Sequence, residues 1–366
     1  MKKYILIASA ALLTLAACTK VQEAASQKEI SFQVANYVQT KADDTQASPV
    51  KFSNTDFGAF AWHHAEDGTV TPFIVNEQVG QKGSEWKTLN NTFYWPKSGS
   101  LNFVSYSPYA EKDGPSVSEK SIAFKAYTVS DQDLMYADKA NGQTENKTPG
   151  TYNAVSGANG VPTLFHHALA KLSFRVKANF LEYTADDNNK SKTTWEMTLQ
   201  KATVKALYNV GDLQLDINAD DVTWKTDGWK PDTQKTAKDV ELVTAANGLK
   251  LTTTAQDLYD GKSFFVLPQT LAKGAQMLSL KFHIKTTLPN GNVVDEDYDN
   301  TLDLMEISSI AAWGMNQNII YTICIKPTAI ANNTDPYIID PSDVIITFDP
   351  AAMDWEKVDA DATILL

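Results

Sequence analysis

Residues 277–292, MLSLKFHIKTTLPNGN, alternate apolar and polar side chains and then turn at Pro-Asn-Gly. Phe282 and Ile284 alternate with lysine and histidine, which is the pattern of a strand with one buried face and one wet face. The pair Asn290-Gly291 supplies the positive φ that a tight turn between two strands needs. This stretch therefore predicts a β-hairpin.

The rest of the chain shows the same kind of pattern. Short apolar or alternating stretches are separated by Gly, Asn, Asp and Pro, and a sustained 3.6-residue period is rare. The strand candidates are residues 30–38, 57–62, 101–106, 171–177, 198–208, 263–267, 277–287, 319–326 and 344–348. Their number and spacing predict an all-β fold of the sandwich type.

The N-terminus has the layout of a bacterial lipoprotein signal. Lys2 and Lys3 precede an apolar run that is too short to span a membrane, and Leu-Ala-Ala leads into Cys18. In such signals the thiol of the cysteine takes a diacylglyceryl group. We expect residues 1–17 to be removed and Cys18 to be lipidated, which anchors a domain to a membrane surface. An ordinary secretory signal with an incidental cysteine is the alternative.

Length and charge narrow the possible functions. Removal of the signal leaves 349 of the 366 residues, enough for two domains, and changes the formal net charge from −12 to −14. An acidic surface repels nucleic acid, so nucleic-acid binding is disfavoured. Cys324 has no second cysteine to pair with once Cys18 carries lipid. A loop-like composition over residues 138–162 places the predicted domain boundary near Val161, between domains 42–161 and 162–357.

Several stretches spread over most of the chain stand out together. They are FYWP at 93–96 leading into LNFVSYSP at 101–108, FHHALAKLSF at 165–174, FVLPQ at 265–269, and Trp313-Gly314 followed by ICI at 323–325, FDP at 348–350 and DWE at 354–356. In order and spacing they resemble the fimbrillin family, the pilin-like surface lipoproteins of Bacteroidetes-type bacteria that build type V pili. The resemblance implies two transthyretin-like, Greek-key β-sandwich domains and subunits that assemble by exchanging a strand.

The residues after Cys18 suggest which strand is exchanged. Ile30, Phe32 and Val34 alternate with polar or small residues, as in a strand with one buried face. In the family a trypsin-like protease cuts after a basic residue just past the first strand, and the bond between Lys41 and Ala42 occupies that position. Loss of residues 18–41 would expose backbone groups and an apolar groove, which demand a replacement strand. A permanent edge strand is the alternative interpretation.

One feature departs from the family pattern. Arg175 is the only arginine of the chain and lies within a predicted strand, so an arginine-specific protease could not mature this protein. Either a lysine-tolerant enzyme cuts after Lys41, or the subunit keeps its lipid and its first strand and serves as an anchor.

The last nine residues, 358–366, alternate as a strand does. The apolar members are Val358, Ala360, Ala362, Ile364 and Leu366. Such a strand could add to an apolar groove of a neighbouring subunit, with main-chain hydrogen bonds giving strength and the large side chains fixing register. The alternative is that this tail pairs within its own domain. In the fimbrillin family, members that cap the pilus tip tend to lack a usable donor tail, so the resemblance implies a stalk or anchor position.

Metal binding has one weak candidate. Asp295, Asp297, Asp299 and Glu306 fall at positions 1, 3, 5 and 12 of a calcium-loop template, but Asn300 replaces the expected glycine and the flanking residues read as strands. A solvated acidic strand is the preferred interpretation. The histidine pairs at 63–64 and 166–167 would point to opposite faces of a strand and could not share one ion. No cofactor is expected.

The sequence favours a structural role. It lacks a nucleophile elbow, a metalloprotease helix motif, a phosphate-binding glycine loop and a dinucleotide fingerprint, so an enzyme is not expected. The predicted protein is a stalk or anchor subunit of a fimbria on the outer membrane. Its expected partners are other pilin subunits, a maturation protease, the membrane through its lipid, and a surface glycan or protein. A carbohydrate-binding surface lipoprotein is the alternative, resting on Trp62, Trp86, Trp224 and Trp229 near turn-like sequence.

Overall fold

The structure is a computed structural model, and it describes residues 28–36, 54–147, 160–178, 194–216, 228–232, 238–243, 247–287, 291–308, 310–326 and 345–352. Cys18, the bond between Lys41 and Ala42, and the tail 358–366 lie outside the described residues.

The described part of the chain is nearly all β. The first twelve strands are β1 (Phe32–Asn36), β2 (Asp56–His64), β3 (Val70–Lys82), β4 (Glu85–Thr88), β5 (Ser100–Ser107), β6 (Ser116–Ser118), β7 (Ser121–Thr128), β8 (Met135–Ala137), β9 (Ala140–Gln143), β10 (Val161–His167), β11 (Ala170–Ala178) and β12 (Thr194–Leu207).

The remaining strands are β13 (Val210–Asp216), β14 (Trp229–Pro231), β15 (Lys238–Glu241), β16 (Leu249–Lys250), β17 (Gln256–Asp257), β18 (Phe264–Val266), β19 (Gln269–Thr270), β20 (Met277–Thr287), β21 (Val293–Asp303), β22 (Ala312–Trp313), β23 (Asn318–Lys326) and β24 (Ile345–Ala352). A 3₁₀ turn covers Tyr259–Gly261, and α1 (Leu304–Ile307) is a single helical turn. No helix of the described residues combines the length and apolarity needed to cross a membrane.

The first sheet closes on itself. Its strands follow the order β2-β3-β4-β1-β10-β8-β5-β9, and β5 also pairs with β2 along seven residue pairs from Gly58 with Tyr106 to His64 with Ser100. Seven strands therefore form a ring, with β9 attached outside the closure. The ring encloses an apolar core that includes Phe57, Phe103 and Phe165.

The second half contains a sandwich of two sheets. One sheet has the order β17-β11-β23-β24, with β18 also on β11, and the other has the order β15-β12-β20-β21, with β16 also on β12. Buried residues from both sheets, among them Phe174, Tyr321 and Phe282, form one core between them. The predicted hairpin is confirmed, because β20 pairs with β21 from Thr287 with Val293 onward and Gly291 has φ +85°.

A smaller sheet joins the two halves of the chain. Its order is β14-β13-β7-β6, so β7 from the first half pairs with β13 from the second. A third apolar cluster, which includes Tyr106, Phe124 and Leu213, connects it to the ring. Strand β10 pairs with β1 and β8 inside the ring, so the predicted boundary at Val161 would separate this strand from its sheet. Strand pairing instead favours a boundary at residues 168–169, between β10 and β11.

Candidate functional site

The candidate site is the slot in the ring that holds β1. On one flank β1 pairs in parallel with β10 along its whole length, from Phe32 with Val161 to Asn36 with Phe165. On the other flank the Ile30 N–H donates to the Phe93 carbonyl at 2.9 Å, and Phe32 is the one residue that pairs with β4. The first strand is therefore an inner strand of a closed sheet. Both interpretations of the sequence, a removable strand and a permanent one, had placed it at a sheet edge.

The inner wall of the slot is an aromatic pocket. Phe32 is 1% exposed and meets Phe57 and Phe103 edge to face, with ring centroids 5.4 and 5.8 Å away. Ile30 is buried in the same core, and Val34 packs against its border. Burial of each large apolar side chain contributes about 1.5–3 kcal/mol, and aromatic pairs add about 0.5–1.5 kcal/mol. The three inward residues predicted from the sequence thus do face the core.

The outer face of β1 differs from the prediction. Ser31 and Gln33 are 1% and 2% exposed, whereas their polarity indicated a wet face. A segment that follows β9, residues 144–147, crosses this face, and we call it the strap. The Gln33 side-chain amide donates to the Lys147 carbonyl in the strap. Residues so distant in sequence could not be recognised as neighbours from the local pattern.

Asn146 in the strap binds the main chain beside β1 with both ends of its amide. Its Nδ2 donates to the Glu29 carbonyl at 2.9 Å. Its Oδ1 accepts the Ser31 N–H at 3.2 Å and the Trp95 indole N–H at 2.9 Å. The side chain therefore clamps two backbone groups of the first strand segment and ties them to the ring wall.

Gly160 lies where β1, β10 and the strap meet. A Cβ atom built at Gly160 would lie 2.5 Å from the carbonyl carbon of Phe32, closer than real atoms approach. The following residue, Val161, donates its N–H to the Ser31 carbonyl at 2.7 Å, and Gly160 exchanges two backbone hydrogen bonds with Lys147 at 3.0 Å each. Only glycine lets the strap, β1 and β10 come together at this point.

One cation stands at the start of the slot. Lys87 Nζ lies 2.9 Å from Glu29 Oε2 and 2.8 Å from Glu85 Oε2. Hydrogen bonds to Glu85 and then to Glu29 raise the pKa of Lys87 above its usual value, so the ammonium stays charged at physiological pH. The slot thus presents a positive charge to the residue that precedes its first apolar pocket.

The candidate calcium ligands lie on an extended strand. Asp295, Asp297 and Asp299 belong to β21, where alternate residues are about 6.7 Å apart along the strand and cannot wrap around one ion as a loop does. Glu306 lies on α1 and forms an ion pair with Lys273. Within the described residues, no group of three or more His, Cys, Asp or Glu side chains has the arrangement of a metal site.

The paired histidines are separated by the strands that carry them. Each imidazole has its own neighbour: His63 Nε2 lies 2.9 Å from the Ser98 carbonyl, His64 Nε2 2.8 Å from Glu119 Oε1, His166 Nε2 2.8 Å from Asp138 Oδ1, and His167 Nδ1 2.5 Å from Asp133 Oδ2. These contacts are structural hydrogen bonds of the first sheet and of the connections near it.

The tryptophans behind the carbohydrate hypothesis mostly contact other side chains. Trp62 stacks on Phe60 at 6.3 Å and Trp86 contacts Phe57 at 5.9 Å, while the Trp229 indole donates to the Ala168 carbonyl at 2.6 Å. Trp224 lies outside the described residues. Of the described tryptophans, none is among the exposed large apolar side chains, so the slot remains the best-defined site.

Comparisons with known proteins place these features in context. A family model described as fimbrillin-like matches residues 22–355. A fimbrial protein from Bacteroides vulgatus has a similar structure, with a TM-score of 0.54 at 16% identity over 89% of this chain and 99% of that one. A candidate cell adhesion protein from Bacteroides uniformis has a TM-score of 0.43 at 17% identity, over 90% of this chain and 98% of its own. No match was found among curated proteins.

Proposed function

The chain belongs to the fimbrillin-like family, and on that premise we propose that it is a structural subunit of a cell-surface fimbria. It serves as a building block that binds other pilin subunits, not as an enzyme. The observation that carries this proposal is the slot of β1. A short inner strand, buried on both faces and flanked on both sides, fills a ring that is incomplete without it.

The physical consequence of losing β1 supports assembly by strand exchange. Neighbouring strands lie about 4.8 Å apart, so removal of β1 would leave β4 and β10 separated by about 10 Å, the width of one strand. The backbone groups of β10 and the aromatic pocket around Phe32 would then face water, which is costly for both. A strand supplied by a second subunit would restore both kinds of contact.

The proposed maturation site follows the strand at a suitable place. Strand β1 ends at Asn36, so cleavage between Lys41 and Ala42 would release a segment that contains all of β1. Lipidation at Cys18 would hold the uncut precursor at the outer membrane, and the tail 358–366 would then supply the donor strand. A stalk subunit is cut, whereas an anchor subunit keeps its lipid and β1.

Mass spectrometry of fimbriae sheared from cells tests the maturation. For a stalk subunit we expect a chain that begins at Ala42. A chain that begins at lipidated Cys18 would assign it to the anchor position, and absence of the chain from sheared fimbriae, together with its presence in outer membranes, would contradict a fimbrial role.

Truncation tests the donor tail. Deletion of residues 358–366 should abolish filaments seen by electron microscopy, while the monomer keeps its melting temperature. Asp359→Asn is the matched control, because it leaves every apolar residue of the tail in place. Normal filaments from the truncated chain would exclude the tail as donor.

A second candidate function rests on a separate cavity. A cavity of about 180 Å³ lies where the residues after β7 approach β15 and β18, and its lining includes Tyr208, Tyr259, Phe264, Asp131 and Glu241. Aromatic faces combined with carboxylates suit a sugar ring. Binding on a glycan array that is lost in Tyr208→Ala would favour a carbohydrate-binding surface protein, and an array without signal would remove this candidate.

A further inference from the structure

The contacts of β1 show which kind of residue each position of the slot binds. Along β1 and the residues before it, Glu29 meets Lys87, Ile30 enters the core, the Ser31 N–H meets Asn146, and Phe32 fills the aromatic pocket. The slot therefore favours an acid, an apolar residue, a residue with a free N–H, and a large apolar residue, in that order.

Three hydrogen bonds of the slot do not depend on the side chains of the occupant. Asn146 binds a carbonyl and an N–H of the main chain, and every residue except proline provides both. The Val161 N–H likewise binds a main-chain carbonyl, that of Ser31. Any extended, proline-free segment can form these bonds, so they give strength and leave the choice of register to the side chains.

The C-terminal tail has the same order of residues. Residues 361–366, DATILL, align with residues 29–34, EISFQV, without a gap: acid with acid, apolar with apolar, hydroxyl with hydroxyl, and large apolar with large apolar. Proline does not occur between residues 358 and 366. A shift of two residues in one direction would bring Ala362 to the aromatic pocket, which a methyl group cannot fill. A shift of two residues in the other direction would bring Leu366 to the pocket, but it would replace the acid beside Lys87 by Thr363.

We propose that the tail of a second copy of this chain enters the slot parallel to β10, with Asp361 beside Lys87, Thr363 on Asn146 and Ile364 in the place of Phe32. This register rests on the proposed function, because it requires that β1 leaves the slot. Asn146 is a positioning residue in this arrangement, and it holds β1 and the tail by the same two backbone groups.

Two aligned pairs do not match: Ile30 with Ala362 differs in size, because alanine leaves part of a buried site unfilled, and Gln33 with Leu365 differs in polarity. Leucine loses the hydrogen bond that Gln33 donates to the Lys147 carbonyl. It also removes the Gln33 amide oxygen, which is buried without a hydrogen-bond partner among the described residues. An unsatisfied buried oxygen costs about as much as one hydrogen bond contributes, so the two effects offset each other.

The test uses the chain from Thr19 onward with a specific protease site inserted between Lys41 and Ala42. After cleavage, fluorescent peptides compete for the slot, one with residues 28–38 and one with residues 358–366, and anisotropy measures their binding. We expect both peptides to bind and Ile364→Ala in the tail peptide to weaken binding about tenfold or more, as loss of about 1.4 kcal/mol does.

Two variants of the protein separate the contacts. Asn146→Ala should weaken both peptides by a similar factor of about ten, since it removes bonds to the main chain, whereas Asn91→Ala, an exposed amide bonded to Glu77, should change neither. Asp361→Ala in the tail peptide should weaken binding to the parent protein but not to Lys87→Ala. If the parent tail peptide and the Asp361→Ala tail peptide bound the parent protein equally, the register would be contradicted.

Cross-linking checks the register directly. In β10, Thr163 lies opposite Val34, so Thr163→Cys should form a disulfide with a tail peptide that carries Leu366→Cys and not with one that carries Leu365→Cys, in a Cys324→Ser background. A disulfide with the Leu365→Cys peptide would overturn the register.

The peptide-binding experiment has two further outcomes. If the 28–38 peptide binds and the tail peptide does not, the tail is excluded as the occupant, but strand exchange is not. If neither peptide enters the cleaved protein, exchange itself fails, and the proposed function with it.

Discussion

Strands β1 and β21 join their sheets in opposite ways. The first has five residues, neighbours on both flanks and almost no exposed side chain among those described. The second has eleven residues, lies last in its sheet beside β20, and exposes most of its side chains, many of them carboxylates. A long edge strand with charged side chains resists pairing with another chain, whereas an empty inner slot requires it. Under the proposed strand exchange, the position of a strand in its sheet, more than its length, decides where a second subunit can attach.

The largest difference between the two strands should appear when an apolar side chain is shortened. Phe32→Ala leaves a cavity in the aromatic pocket and should lower the free energy of unfolding by about 3–5 kcal/mol. Val293→Ala on β21, at a side chain 50% exposed, is the matched control and should change it little. Urea denaturation followed by tryptophan fluorescence measures both, and equal losses would break the comparison.

A smaller effect is expected where the backbones meet. In Gly160→Ala the new methyl group would collide with the backbone of Phe32, so the variant should lose about 1–3 kcal/mol of stability. In Gly80→Ala the methyl group would meet only the end of the flexible Leu89 side chain, at 3.0 Å, and a rotation can relieve that contact. Melting temperatures compare the two variants. A greater loss of stability in Gly80→Ala would contradict the close packing of Gly160 against β1.

The smallest effect on stability is expected for the ion pair between His283 on β20 and Asp297 on β21. His283 lies 2.5 Å from Asp295 and 2.8 Å from Asp297. Its hydrogen bond to Asp297 raises the pKa of His283 above 6.5, and the same bond lowers the pKa of Asp297 below 3.8. The stabilising contribution of His283 is full below pH 6.5 and is lost as pH rises through its raised pKa. That of Asp297 is present above pH 3.8 and is lost as pH falls through its lowered pKa.

The pair should therefore stabilise most between about pH 3.8 and 6.5. Melting temperatures of the parent chain and of His283→Ala, measured across this range, should differ slightly in that window and converge at higher pH. Salt should reduce the difference, because both groups are exposed. A difference that grows as pH rises above 7 would contradict the assignment.

The same two strands show how far the sequence leads. Strand β21 and its partner β20 are predictable because alternation and Asn290-Gly291 specify a local hairpin. For β1, the sequence predicts the strand and its inward residues, but not its neighbours, since β10 and the strap lie more than 110 residues away. The polarity of Ser31 and Gln33 suggested solvent, but the strap covers both residues: the Asn146 side-chain oxygen accepts the Ser31 backbone N–H, and the Lys147 carbonyl accepts the Gln33 side-chain amide.

The single arginine has a practical consequence. Arg175 lies within β11 between β17 and β23, and its guanidinium Nε is 2.7 Å from Asp257 Oδ1. A protease binds its substrate as an extended segment in its active-site cleft. A strand that is hydrogen-bonded to neighbours on both sides cannot bind there while the sheet is intact. We therefore expect arginine-specific proteases not to cleave the native subunit. If cleavage after residue 41 starts assembly as proposed, Lys41→Arg would let an arginine-specific protease start filament growth at a chosen time.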